Sequence, residues 1–171
     1  MQSVSQATSL ICRLGDADVS IRRNAVRELL EQPAWATGLT TALIRLVSDR
    51  DEMVRHGATE CLERIADPGS DEVADLTRIL RETCDGETEY WAATMLGRIG
   101  PQADRAVGAL ASVLLDSSCL AARERAAWAL GRIGPAARMA LNALRQIGQD
   151  DPPRLRRLAE AAVSALSHRA A

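Results

Sequence analysis

The sequence LGRIGPQADRAVGAL at residues 96–110 returns as LGRIGPAARMALNAL at residues 130–144, a shift of 34 residues in which the first six letters are unchanged. The repeat extends in both directions, because an alanine recurs at nearly the same interval along the chain. The equivalent alanines are Ala25, Ala58, Ala92, Ala126 and Ala159. Self-similarity with a period of about 20–50 residues is typical of repeat architectures. The chain is therefore predicted to contain five copies of one structural unit.

Apolar residues follow each of these alanines with the periodicity of an α-helix. Four residues after the alanine stand Leu29, Leu62, Leu96, Leu130 and Val163, and three residues further on stand Ile65, Ile99, Ile133 and Leu166. Steps of four and three residues place one apolar stripe on a helix, whereas a strand would need alternation every second residue. A second set of apolar residues between these stripes predicts another helix in every unit.

Prolines and glycines separate the predicted helices. Proline is tolerated in a first helical turn, where its missing N–H has no acceptor, and such prolines recur as Pro33, Pro68, Pro101 and Pro135. Gly100 and Gly134 are expected to end helices in a left-handed conformation. Acidic residues are expected to cap others, namely Asp16, Asp18, Asp49 and Asp51. We expect first helices near 3–14, 34–48, 70–83, 102–115 and 136–148, and second helices near 18–31, 52–66, 87–99, 119–133 and 153–167.

The predicted fold is all-α, an α-solenoid of five helix pairs in a single domain over residues 1–171. Repeats are expected near residues 1–32, 33–67, 68–100, 101–134 and 135–171. Apolar residues make up 47% of the chain, yet Phe is absent and aromatic residues are only 2%. The core must therefore be built from Leu, Ile, Val and Ala.

An Asp followed six residues later by Arg, and then by the repeating Ala and Leu, resembles the HEAT repeat. The resemblance is strongest to the bacterial variety named after the phycobilisome lyases. It implies second helices that line a concave binding face and an Asp–Arg ladder between neighbouring repeats. The matching positions are Asp16 with Arg22, Asp49 with Arg55, and Asp150 with Arg156. The third unit has Thr83 and Glu89 and the fourth has Ser117 and Arg123, so the ladder is predicted to be broken in the middle.

Charge and cysteine content favour no specialised class of partner. The net charge is −2, and the cationic residues are arginines without a single lysine. The four cysteines form no CxxC pair, which favours reduced thiols and a cytoplasmic location. The N-terminal residues lack a basic segment followed by an apolar one, and no stretch is long and apolar enough to span a membrane. We therefore expect neither a signal peptide nor a membrane partner.

No signature of catalysis, cofactor binding or metal binding is present. The sequence lacks a Walker loop, a dinucleotide fingerprint, a nucleophile elbow and a zinc signature. We predict a non-catalytic adaptor that binds another protein on the concave face of the second helices. Two alternatives remain: a nucleic-acid-binding or base-excising protein that uses the Arg-rich C-terminal half, and a chromophore-lyase subunit suggested by the family resemblance.

The predicted partner site is the exposed row of the second helices, at offsets −2, +2 and +5 from the aligned alanine. Trp and Tyr together with Arg are the usual hot spots of protein interfaces, so Tyr90 and Trp128 are expected to approach each other beside Arg98 and Arg132. The same row contributes His56, Glu60, Thr94 and Glu124. The alternative is that both rings fold down over neighbouring aliphatic side chains. Trp91, one residue before the aligned alanine, is expected to pack against a neighbouring repeat.

Overall fold

The structure, a computed structural model, describes residues 2–36, 38–65 and 68–167, with side chains of the first helix from Ala7 onward. These ranges are helical and contain no strand, which confirms the all-α prediction. They group into two compact units, Met1–Pro68 and Gly69–Ala171. The first contains α1 (Gln2–Leu14), α2 (Val19–Glu31), α3 (Thr40–Ile44) and α4 (Glu52–Arg64). The second contains α5 (Val73–Glu82), α6 (Gly86–Ile99), α7 (Val107–Asp116), α8 (Leu120–Ile133), α9 (Leu141–Arg145) and α10 (Pro153–Ser167).

In the first unit, the second helices of two repeats pack side by side. α2 packs against α4, while α1 pairs with α2 and α3 pairs with α4. The apolar stripes face inward, because the aligned Ala25 and Ala58 and the leucines that follow them, Leu29 and Leu62, are all buried. Gly57 permits the close approach of α2 and α4, since a Cβ atom there would overlap Cγ1 of Val26.

In the second unit, the helices form two layers. α8 lies between α6 and α10 and packs against both, and α7 likewise contacts α5 and α9 in the other layer. The aligned Ala92 and Ala126 and the leucines Leu96 and Leu130 are fully buried between the layers. Because alanine adds little bulk, the layers pack closely without aromatic residues at these positions.

The first helices differ most from the sequence prediction, because 3-10 turns replace their N-terminal parts. These turns are Pro33–Ala36, Ser70–Glu72, Gly100–Ala106 and Gly134–Ala140. The predicted helix over 34–48 is therefore wrong in extent, since only Thr40–Ile44 is α-helical. Gly38 has φ +78°, which interrupts the helix, and the N–H of Leu46 bonds to the carbonyl three residues back, Leu43 O. The helix expected over 136–148 is likewise reduced to Leu141–Arg145.

The predicted helix ends agree more closely with the structure. Gly100 and Gly134 follow α6 and α8 with φ of +71° and +70°, a conformation that few other residues adopt. The Asp18 and Asp51 side chains cap α2 and α4 by accepting N–H groups of the first turn. Asp16 and Asp49, also expected as caps, instead accept the N–H of the residue two positions later within the preceding turn.

The ladder between repeats is present with changes. Arg22 forms a bidentate pair with Asp49, at 2.9 and 3.0 Å, and also donates to the Asp16 carbonyl. In the second unit Arg123 pairs at 2.9 Å with Asp151 of the next repeat. Asp151 is fixed for this by accepting the Gly148 N–H across the turn. Where the ladder was expected to break, the Ser117 hydroxyl donates to the Glu89 carboxylate, so a hydrogen bond replaces the ion pair.

Candidate functional site

The residues predicted to bind a partner fall in both units. Tyr90, Arg98, Glu124, Trp128 and Arg132 lie on α6 and α8 of the second unit. His56 and Glu60 lie on α4 of the first unit.

Tyr90 and Trp128 are joined through a third side chain, Arg125. The guanidinium carbon of Arg125 lies 5.0 Å from the Tyr90 ring centre and 5.7 Å from that of Trp128. Its Nη2 also donates to the Tyr90 hydroxyl at 2.8 Å. A cation within about 6 Å of an aromatic face is attracted by the ring quadrupole. The three side chains thus form one half-buried cluster that holds the Trp128 indole in place.

The sequence interpretation missed Arg125. It occupies offset −1 from the aligned alanine, where the other repeats have Asn24, Gly57, Trp91 and Leu158. A position that varies so widely in size and polarity gives no repeating signal. Only the pairing of Arg125 with Tyr90, one repeat earlier, shows its role.

Between α6 and α8, the groove is filled by the Trp128 indole. A Cβ atom at Gly97 would overlap Cζ3 of this ring and come within 3.0 Å of Ala129 Cα. The ring therefore lies against the bare backbone of Gly97. One side of the indole is thus packed against α6, and the residue remains partly exposed.

Between α8 and α10, the equivalent groove is open. It encloses a cavity of about 200 Å³, referred to below as the α8–α10 groove. Its lining is almost entirely apolar and consists of Ala127, Trp128, Gly131, Arg132, Leu158, Ala161, Ala162 and Ala165. The floor is tight, because a Cβ atom at Gly131 would lie 3.2 Å from Ala162 Cα. Small residues thus leave room above the helix contact, with the Trp128 indole as one wall.

Two arginines, one on α8 and one on α10, have no partner within the described part of the chain. Arg132 lines the groove and is exposed, and it forms neither a hydrogen bond nor an ion pair there. Arg157 is exposed and equally unpaired, and it lies one helical turn before Ala161 on α10. Arg98 is half-buried and approaches the Met95 sulfur at 3.8 Å.

Two members of the expected exposed row are buried instead. Glu124 is only 9% exposed, because its carboxylate faces α10 and pairs with Arg154 Nε at 3.2 Å. Thr94 is also 9% exposed, and its hydroxyl donates to the Tyr90 carbonyl on the same helix at 2.7 Å. Both positions are thus buried, and Glu124 contacts an adjacent helix, whereas a single-helix pattern placed both in solvent.

In the first unit, the groove between α2 and α4 contains His56 and Glu60. It encloses about 370 Å³ and is also lined by Arg23, Val26, Arg27, Leu30, Met53 and Gly57. His56 is exposed, and Glu60 pairs with Arg64 on the same helix at 3.3 Å. The Met53 side chain is also largely exposed at this groove. Charges of both signs surround it, so it favours no one kind of partner.

The remaining features to consider are Trp91, possible metal ligands and possible membrane spans. Trp91 is buried, stacks edge-on against Tyr90 with ring centres 5.4 Å apart, and donates from Nε1 to Glu87. In the described ranges no three His, Cys, Asp or Glu side chains cluster in a way that could hold a metal ion. None of the described helices is long and apolar enough to cross a membrane.

This fold is that of the helical repeat proteins, the class that includes HEAT and armadillo repeats. The chain belongs to the HEAT-repeat family, because the family model described as HEAT repeats matches residues 7–87 and 73–166. No curated protein matches the sequence.

Solved structures of helical repeat and engineered proteins resemble this fold. A designed armadillo repeat protein in complex with the peptide (KR)4 is 20% identical with a TM-score of 0.61, and the match covers 92% of this chain and 80% of that one. A crystal structure described as an engineered protein is 20% identical with a TM-score of 0.60, covering 94% and 78%. At these identities the likeness concerns the fold alone.

Proposed function

We propose that the protein is a non-catalytic scaffold that binds another protein on the surface formed by α8 and α10, with the α8–α10 groove at its centre. The observation that carries this proposal is the open apolar groove beside Trp128. Apolar surface left in water costs roughly 25 cal/mol per Å² relative to burial. A partner that covers the groove recovers this free energy.

The composition of the groove supports a protein partner. Trp and Arg are enriched among the residues that contribute most to protein–protein binding, especially where they surround a small pocket. Trp128 is held by Arg125 and by the Gly97 backbone, so little side-chain entropy is lost when a partner contacts it. The designed armadillo protein bound to a peptide is a further reason to expect a peptide segment as the ligand of this class of fold.

The proposal is tested by filling the groove. Ala161 is exposed and lines it, so Ala161→Trp places an indole in the cavity without removing an existing contact. The matched control is Ala136→Trp, which adds the same side chain at an exposed position of the 3-10 turn before α9. Both variants and the parent chain are used as bait in a pull-down from the native host, with mass spectrometry as the readout.

We expect a specific partner to be captured by the parent chain and the control and to be lost with Ala161→Trp. Equal helix content in circular dichroism shows that the variants are folded. Capture that is unaffected by Ala161→Trp would contradict the proposed surface. A catalytic activity that survives the substitution would contradict the assignment as a scaffold.

A further inference from the structure

We infer that the α8–α10 groove binds an acidic peptide segment in which one apolar side chain is flanked by carboxylates. This inference rests on the proposed function and specifies the partner of the same surface. The apolar side chain enters the cavity beside Trp128, and the carboxylates on either side pair with Arg132 and Arg157.

The size of the cavity matches one side chain. An engineered cavity of about 150 Å³ in another protein binds benzene. The α8–α10 groove encloses about 200 Å³, so a Leu, Ile, Met or Phe side chain fits, whereas a folded helix with several adjacent large residues does not. Its walls provide methyl groups from Ala127, Ala161 and Ala165 and the face of Trp128, with no polar side chain other than Arg132.

The charge around the cavity determines the flanking residues. Arg132 stands at the C-terminal end of α8 and Arg157 in the first turns of α10, and both are unpaired in the described part of the chain. The nearby carboxylate of Glu124 is neutralised by Arg154. Glu160 is exposed but precedes Ala161 by one residue, which turns it about 100° from that wall of the groove. The one charged residue of the cavity lining is therefore the unpaired Arg132, and Arg157 adds a second positive charge one helical turn before Ala161.

The positive charges of Arg132 and Arg157 disfavour a cationic peptide such as (KR)4, because they would repel its side chains. Nucleic acid is disfavoured for a different reason, because the positive surface is small. Nucleic-acid binding normally uses a broad basic surface, but Arg123 pairs with Asp151 and Arg154 pairs with Glu124 on this side of the second unit. An apolar cavity with Arg132 as its one charged lining residue fits a peptide better than a continuous phosphate backbone.

The test uses the full chain and fluorescently labelled synthetic peptides of equal length, followed by fluorescence anisotropy. The first peptide is DEDELDEDE, the second replaces its Leu by Gly, and the third is KRKRLKRKR. A single-stranded DNA of similar length is the fourth probe. We expect saturable binding of the first, about tenfold or more weakening of the second because the buried side chain is lost, and no saturation with the third and the DNA. Raising the salt concentration should weaken the first complex.

Charge reversal identifies the arginines. Arg132→Glu combined with Arg157→Glu should reduce affinity for DEDELDEDE by about tenfold or more, since attraction becomes repulsion on both sides of the groove. The control, Arg138→Glu with Arg145→Glu, changes the net charge equally at two exposed positions before and within α9 and should leave the affinity unchanged. An equal loss in both double variants would show a general charge effect and overturn the inference.

Binding of the basic peptide or the DNA with affinity equal to that of DEDELDEDE would also overturn it. Failure of the acidic peptide to bind up to about 1 mM, while Ala161→Trp still abolishes capture of the native partner, would refute the acidic specificity and leave the scaffold proposal standing. If Ala161→Trp still captures the native partner and still binds DEDELDEDE, the proposed surface itself is refuted.

Discussion

The indole of Trp128 occupies the space that a side chain on Gly97 would fill. Any Cβ atom at residue 97 would overlap Cζ3 of the ring and approach Ala129 Cα to 3.0 Å. Gly97 belongs to the repeated LGRIGP sequence, and its counterpart Gly131 lies equally close to the backbone of α10. These glycines therefore set the spacing of the second helices in the second unit and, through it, the position of Trp128.

Gly97→Ala is expected to destabilise the protein, although alanine is the better helix former by about 1 kcal/mol. The added methyl group must displace Trp128 or separate α6 from α8, and overpacking of this kind costs about 1–3 kcal/mol. The control is Gly108→Ala on α7, where a Cβ atom would meet nothing within 4 Å. That variant should gain up to about 1 kcal/mol. Urea unfolding measures both, and stabilisation by Gly97→Ala would contradict the packing.

Leu96→Ala and Leu130→Ala should each lower the free energy of unfolding by about 2–5 kcal/mol, because both leucines are fully buried in the repeating stripe. Leu115→Ala is the control, since Leu115 is 38% exposed at the end of α7 and its truncation should cost below about 1 kcal/mol. Equal losses for Leu96 and Leu115 would show that the stripe is not the core. Chemical denaturation followed by circular dichroism gives the comparison.

The helix pairs and the core could be predicted from the sequence because both depend on a pattern that recurs within the chain. The aligned alanines and leucines are buried as expected. The site was less accessible to this reasoning, since its contacts join neighbouring repeats at positions that do not repeat. Arg125 is one example, because it bonds to Tyr90 of the preceding repeat and the equivalent residues of the other repeats all differ from it. Glu124 is another, because it pairs with Arg154 on α10. The shortness of α3 was not predicted, because it depends on the positive φ of Gly38, and the spacing of apolar residues does not indicate that angle.

Arg22→Ala should destabilise the protein by about 1–3 kcal/mol, a range typical of lost hydrogen bonds to a charged group. The side chains of Arg22 and Asp49 are only 15% and 9% exposed, so Asp49 would keep a poorly solvated charge without its partner. Arg23→Ala on the same helix is the control. Arg23 also pairs with an aspartate, Asp51, but is 51% exposed, so its loss should lower the stability much less, because solvent screens an exposed ion pair. A larger loss of stability for Arg23→Ala than for Arg22→Ala in urea unfolding would contradict this prediction.

Acid should weaken the first unit through Asp51. The Arg23 hydrogen bond and the N–H groups at the start of α4 lower the pKa of Asp51 from the ordinary 3.8 to about 2. A carboxyl whose pKa is lower in the folded state stabilises the fold above its unfolded pKa, and this contribution is lost as the pH falls from about 4 towards 2. Burial would raise the pKa of Asp49, but the hydrogen bonds from Arg22 and from the Asp51 N–H together outweigh it, so this pKa is also lowered.

The measurement is the urea midpoint between pH 6 and pH 2.5 for the parent chain and for Asp51→Asn. Asparagine still caps α4 but cannot titrate, so the variant should lose less stability on acidification than the parent. Parallel pH curves for the two proteins would show that Asp51 contributes nothing to the acid sensitivity.

The cysteines should differ in reactivity towards a thiolate-specific reagent such as iodoacetamide. Burial, assisted by the nearby Glu60 charge, raises the pKa of the Cys61 thiol to about 11, and its Sγ lies 3.9 Å from the Val26 carbonyl. Cys12 and Cys84 are exposed. Because the thiolate is the reactive form and access is also required, native protein at pH 8 should be modified at Cys12 and Cys84 well before Cys61. Mass spectrometry over time identifies the order.

In denaturant without reductant all four cysteines should react, because the structure pairs none of them. Equal rates at Cys61 and Cys12 in the native protein would contradict the burial of Cys61, and a stable disulfide after unfolding would contradict the reduced state expected from the sequence.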